Sequence, residues 1–140
     1  MTFKKQILKT KLKDYVAAEF FVASYYKKIG YSLLCHQYRS IGSEIDLICA
    51  KEDTLRFIEV KLRKNWPTSL VDFQQILPLT KQKHLKRGIK NYLGRSHEKY
   101  FENLCFDLVV VKRNPSLLLS KKRKFLGLKV YKNLDLFTEE

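Results

Sequence analysis

The chain has 140 residues, 45% of them hydrophobic, with 28 Lys and Arg against 14 Asp and Glu and a formal charge of +14. That composition suits one ordinary domain with a single core and gives no sign of disorder, while the charge points to an anionic partner, nucleic acid before membrane. No apolar run approaches the length of a bilayer span, and the first residues lack the uninterrupted apolar segment of a signal peptide, so a cytoplasmic protein is expected.

Residues 1–12 are basic and unpatterned and are expected to form an N-terminal arm, with one domain over 13–140. From Lys13 to Ile29 there is neither Gly nor Pro, and Tyr15, Val22 and Tyr26 recur at helical spacing before Gly30, a C-terminal stop. Glu19 lies on that stripe and should face the same way. It is either a partly exposed acid bonded to a neighbouring Tyr or a carboxylate delivered to a site further along the chain. Tyr31–Arg39 reads as a first strand, and Ser40 to Ser43 as a turn.

Glu44–Ala50 and Leu55–Arg63, separated by the polar run Lys51 to Thr54, predict a β-hairpin. A loop of two or four residues gives one register, in which Asp46 faces Glu59 and Glu44 faces Lys61. Two acids paired in this way repel at close range. Lys61 follows Glu59 by two and shares its face. Ile45, Leu47, Ile58, Val60 and Leu62 would fill one side, with Ile48 and Phe57 among the charges on the other. Sheets apolar on both sides are covered on both sides. A carboxylate pair there needs a cation, and Mg²⁺ is the simplest for oxygen ligands. The alternative is a solvated edge with a Glu44–Lys61 ion pair.

Pro67 ends the strand, and Trp66 beside it suits either stacking on a base or capping the sheet edge. Helical character returns from Asp72 to Leu93, with Pro78 opening the main segment. Lys83, Arg87 and Lys90 share one helical face, which would suit a phosphate backbone or plain solvent. Leu104–Val111 reads as a central strand, Lys121–Lys124 as a basic loop, and 127–137 as a last strand and tail. The order of elements predicts an α/β domain, a mixed sheet of about five strands flanked by helices. The three cysteines and three histidines are scattered, which argues against a disulfide framework, a zinc knuckle or a histidine-based site, and no phosphate-binding Gly-rich loop is present.

An acid, about a dozen residues, and then Glu-x-Lys on a strand, with helices before and after, resembles the PD-(D/E)XK or restriction-endonuclease-like superfamily. Glu44-Ile45-Asp46-Leu47-Ile48 together with Phe57-Ile58-Glu59-Val60-Lys61-Leu62-Arg63 is similar to the YraN-like family of predicted bacterial nucleases. The likeness extends from Tyr15 to Phe137 and includes Ala18-Glu19, Arg39, Lys81, Tyr92-Leu93 and Phe106-Asp107. It implies that Asp46 and Glu59 ligate Mg²⁺ or Mn²⁺, with the Val60 carbonyl as a further ligand. It also implies that Lys61 holds the attacking water or a phosphate oxygen, that Glu19 assists, and that Lys81 touches the scissile phosphate. The family usually has Gly at the place of Ser43 and commonly Arg at that of Cys105, so a positive charge near the site is missing here.

The resulting expectation is a metal-dependent nuclease acting on DNA rather than RNA, with branched or otherwise unusual structures in view. Arg39, Arg63, Lys81, Lys83, Arg87, Lys90 and Lys121, Lys122, Arg123 and Lys124 would hold the polymer through salt-sensitive contacts. A nucleic-acid-binding protein that keeps the fold without cutting is the rival reading, and a structural protein on ribosomal RNA a third. Many nucleases of this architecture work as dimers, and no stretch of the sequence marks an interface.

Overall fold

A computed structural model describes residues 2–95, 100–114 and 124–136. The order is α1 (Phe3–Lys28), β1 (Ser32–Ser40), β2 (Ser43–Lys51), β3 (Thr54–Arg63), α2 (Leu70–Ile76), α3 (Leu79–Leu93), β4 (Asn103–Arg113) and β5 (Phe125–Tyr131). The strands form one mixed sheet in the order β1-β2-β3-β4-β5. Among the described strands only β3 and β4 run parallel, and α2 and α3 make the crossover between them.

Alternation along the strands divides the core. Leu47, Cys49, Ile58, Val60, Val109 and Val111 pack against Ala18, Val22 and Tyr26 of α1 on one face. Ile48, Leu55, Phe57 and Phe106 meet Leu85 and Tyr92 of α3 on the other, and Leu108 and Val110 meet Ile76 of α2. Both faces of the sheet are therefore covered, as its near-continuous apolar strands require.

Three expectations about the elements need correction. Residues 3–12 are the first turns of α1 rather than an unpatterned arm, a frequent outcome for Lys-rich segments, since Lys loses little freedom in a helix. Tyr15 is 39% exposed and lies off the buried stripe, which runs through Ala18, Val22 and Tyr26. The helical stretch after β3 is two helices: Leu77 leaves the helical region with ψ 69, and Pro78 caps α3 from an extended backbone with ψ 159. Gly30 does end α1, with φ 99, and Tyr31 N–H donates back to the Tyr26 carbonyl at 2.9 Å.

The hairpin turn has two residues, since Lys51 pairs with Thr54. The opposite turn lies under α3, where Gly88 allows a close approach to β2. A Cβ at Gly88 would stand 2.3 Å from Ser43 Oγ and 3.3 Å from Ile45 Cδ1. Gly88→Ala is therefore expected to lower stability by roughly 1–3 kcal/mol in urea denaturation, despite Ala's better helix propensity. Adding Ser43→Gly removes the clashing hydroxyl and should restore most of that loss.

Candidate functional site

The hairpin ladder runs from Lys51–Thr54 to Leu47–Ile58 and stops there. At the next position Asp46 replaces the backbone: its Oδ2 accepts from Val60 N–H at 2.8 Å. Ile45 and Ile48 both belong to the α3 side, whereas Leu47 belongs to the α1 side. Alternation thus breaks at Asp46, and its carboxylate occupies the gap between β2 and β3. Ile45 accordingly sits on the opposite face from the one expected. On β1, Gln37 has φ 54 between the pairs Tyr38–Ile45 and His36–Leu47. A left-handed non-Gly residue inside a strand is strained, and such strain gathers at functional sites.

Glu59 meets Asp46 in that gap by side-chain hydrogen bond. It is only 2% exposed. Two carboxyls share a hydrogen bond only through a proton, and Glu59 holds it: burial, then the bond and charge of Asp46, push Glu59 up to about 8, against the pull of Lys81 and Lys61. Asp46 is also raised, chiefly by burial, while its bonds to Glu59 and to Val60 N–H lower it and the charge of Glu19 adds to the rise. Lys81 Nζ lies 3.2 Å from Glu59 Oε2. That contact is an ion pair without hydrogen-bond geometry, which leaves Oε2 buried and unbonded.

Glu19 reaches the same neighbourhood from α1, but its Oε1 is taken by His36 Nε2 at 2.6 Å and Gln37 Nε2 at 3.0 Å. Phe20 packs on the His36 ring with centroids 4.8 Å apart. The structure thus brings together Glu19, Asp46, Glu59, Lys61 and Lys81 from four elements, α1, β2, β3 and α3. His36 and Gln37 were not singled out in the sequence as site residues. The backbone turn at Gln37 carries no local signal, because Asn or Gly is the usual mark of that conformation.

Other expected residues lie further out. Glu44 pairs with Arg39 at 3.5 Å instead of with Lys61, because the ladder has already opened. Arg63 Nη1 donates to the Leu62 carbonyl at 2.9 Å. Lys83, Arg87 and Lys90 are exposed along α3. Lys121, Lys122 and Arg123 lie outside the described residues, and Lys124 is bound to Asp14 at 2.7 Å, beside Arg113 at 3.4 Å. Cys105 aligns with Arg56, three residues along β3 from Glu59.

Among the described residues no three acid, His or Cys side chains form a ready-made metal cage. The Asp46–Glu59 pair still fits a small hard cation. Mg²⁺ keeps several waters and commonly binds through one or two carboxylates plus a substrate phosphate. Glu59 Oε2, buried and without a hydrogen-bond partner, is the oxygen such a cation would take.

Glu59 keeps its proton to about 8 in the fold and to about 4.5 when unfolded. Its contribution is therefore fully present below about 4.5 and is lost as pH rises through about 8. In chelator, wild type should lose stability over that window, while Glu59→Gln should not. Melting curves should show the variant pulling ahead of wild type by pH 8, and millimolar Mg²⁺ should restore the wild type alone.

A mixed five-stranded sheet covered by helices, with an Asp and a Glu-x-Lys at the mouth of its hairpin, defines a restriction-endonuclease-like α/β domain. Residues 18–111 match the profile of the uncharacterised protein family UPF0102, the YraN family, and the chain belongs to it. It is 30% identical over 99 residues to a UPF0102 protein of Treponema pallidum (strain Nichols), covering 69% of this chain and 75% of that one. A UPF0102 protein of Dictyoglomus thermophilum is 32% identical over 111 residues, 77% and 84% of the two chains. One of Chloroherpeton thalassium is 36% identical over 89 residues, 64% and 67%. Among the described residues no helix is long and apolar enough to cross a membrane.

Proposed function

We propose that this protein is a metal-dependent nuclease that hydrolyses phosphodiester bonds of DNA. The observation that carries the reading is the buried Glu59, its Oε2 without a hydrogen-bond partner, meeting the half-buried Asp46 and flanked by Lys61 and Lys81 in a chain of charge +14. Asp46, Glu59 and the Val60 carbonyl would hold Mg²⁺ or Mn²⁺, which when bound supplies an activated water and offsets charge on the phosphate.

The remaining steps belong to the chain's own groups. Glu59 gives up its proton when the site is loaded, and Lys81, freed from Glu59, turns to a nonbridging phosphate oxygen. Lys61, a compact charge on the same face, stabilises the negative charge that develops on the attacking water and the phosphate. Glu19, fixed by His36 and Gln37, orients solvent beside Asp46. Lys83, Arg87 and Lys90 on α3, with Arg39 at the β1–β2 end, hold the backbone through contacts that weaken with salt.

The test incubates purified protein with linear, single-stranded and branched DNA, and with RNA of matched sequence, with Mg²⁺, Mn²⁺ or chelator. Cleavage that requires the metal and disappears in Asp46→Ala and Lys61→Ala supports the nuclease. Binding without cleavage under every condition identifies a nucleic-acid-binding protein on a nuclease fold.

A further inference from the structure

The face that carries Glu59 and Lys61 continues beyond the hairpin. Lys61 pairs with Val110 of β4, and Val110 with Lys129 of β5; Arg63 pairs with Lys112. With strands about 4.8 Å apart, Lys129 begins roughly 10 Å from Lys61, about three base steps at 3.4 Å. Over this end of the sheet lies Trp66, from the loop that leaves β3, packed against the cluster of Ile76, Leu108 and Val110. The Lys112 and Lys129 ammoniums are 5.7 and 6.0 Å from its ring centroid. Trp66 also lines a cleft of about 500 Å³ with Arg63, Asn65, Thr68, Asp72 and Gln75. The one acid there is already engaged: Asp72 Oδ2 accepts from Thr68 N–H at 2.9 Å and from its hydroxyl at 3.2 Å, and so fixes the loop that carries Trp66.

A large aromatic ring among Arg63, Lys112 and Lys129, on the face of the catalytic lysine, combines a stacking surface with phosphate contacts. Stacking requires a base that is out of a duplex. We infer that Trp66 is a stacking platform for an unpaired nucleotide of a DNA strand within a few nucleotides of the scissile phosphate, its flanking phosphates held by Lys112, Lys129 and Arg63. The inference rests on the nuclease reading for its substrate and adds to it a class, DNA with a single-stranded segment at the cut. The exposed Lys129 exchanges its contact with the ring for a phosphate when the strand arrives.

Trp66 is the only tryptophan in the chain, so its fluorescence reports on this surface alone. The experiment titrates full-length protein in chelator at low ionic strength with a 12-mer of oligothymidylate and with a blunt duplex, following both Trp emission and the polarisation of an end label. The single strand should quench Trp66 as it binds, and the duplex should bind without comparable quenching. Trp66→Ala should weaken single-strand binding roughly 5- to 150-fold and leave duplex binding in place, with Trp66→Phe close to wild type. Lys129→Glu, at an exposed position, should weaken the same interaction and flatten its salt dependence, a result that stands even if Trp66→Ala folds poorly. Binding by polarisation with unchanged emission, or equal quenching by duplex, would show that Trp66 only caps the sheet and overturn the inference. Quenching without metal-dependent cleavage sinks the nuclease reading and leaves the platform; cleavage without quenching does the reverse.

Discussion

Asp46→Asn is expected to reduce metal-dependent DNA cleavage by at least about a thousandfold, with Glu59→Gln and Lys61→Met close behind, while the fold survives. Asn is the informative replacement, because its amide oxygen can still accept from Val60 N–H, the bond that seats Asp46 at 2.8 Å in the opened ladder. What is lost is one charge of the pair that would hold the cation. Losing a single well-placed charge-stabilising group costs about 10²–10³ in rate, and losing the cation costs the activated water as well. Lys81→Met should be milder, roughly tenfold, since Lys61 remains on the same face. Initial rates on labelled DNA, alongside melting curves to show that each variant is folded, check the ranking. A cleaving Asp46→Asn variant would remove Asp46 from the mechanism.

The second large effect is on stability. Asp107 is fully buried and accepts from Tyr26 OH at 2.5 Å, Arg56 Nη1 at 2.7 Å and Asn133 N–H at 3.0 Å. Arg56 also donates to Asn133 Oδ1 at 2.7 Å and to Tyr31 OH at 3.1 Å, its guanidinium lying 5.6 Å from the Tyr31 ring centroid. Burial raises Tyr26 well above an ordinary tyrosine, with the Asp107 hydrogen bond adding to the rise, so Tyr26 stays a donor. Asp107→Ala strands the Arg56 charge in the core and should cost about 3–5 kcal/mol, a fall in Tm of roughly 10–20 °C. Replacing both partners by Leu should recover much of that. A single variant as stable as wild type would mean that water reaches Arg56.

The central hairpin was legible because its signals are local: strand residues on either side of a short polar run fix a register, which holds from Lys51–Thr54 to Leu47–Ile58 and points Asp46 toward Glu59, although the Asp46 carboxylate reaches it through the opened ladder. The order of elements and the mixed sheet followed from the same kind of pattern. What escaped was set by distant partners. Asp107 and Arg56 are 51 positions apart, and nothing in either segment announces the other. His36 looked like an isolated histidine until α1 brought Glu19 to it. Strict alternation puts Ile45 on the face of Leu47, but alternation breaks at Asp46, where the carboxylate takes the place of a backbone acceptor and Ile45 turns to the α3 side. Lys124 reads in the sequence as part of a basic loop, whereas Asp14, more than a hundred positions away on α1, binds it.

The most direct measurement is Mn²⁺ binding, followed by electron paramagnetic resonance at pH 8 with an uncleavable phosphorothioate DNA present, in wild type, Asp46→Asn and Glu59→Gln. Wild type should bind the ion at the paired carboxylates, with at least about a tenfold weakening in either variant. Equal Mn²⁺ binding in all three proteins, or none in wild type, would mean that the two acids meet for some reason other than a shared cation.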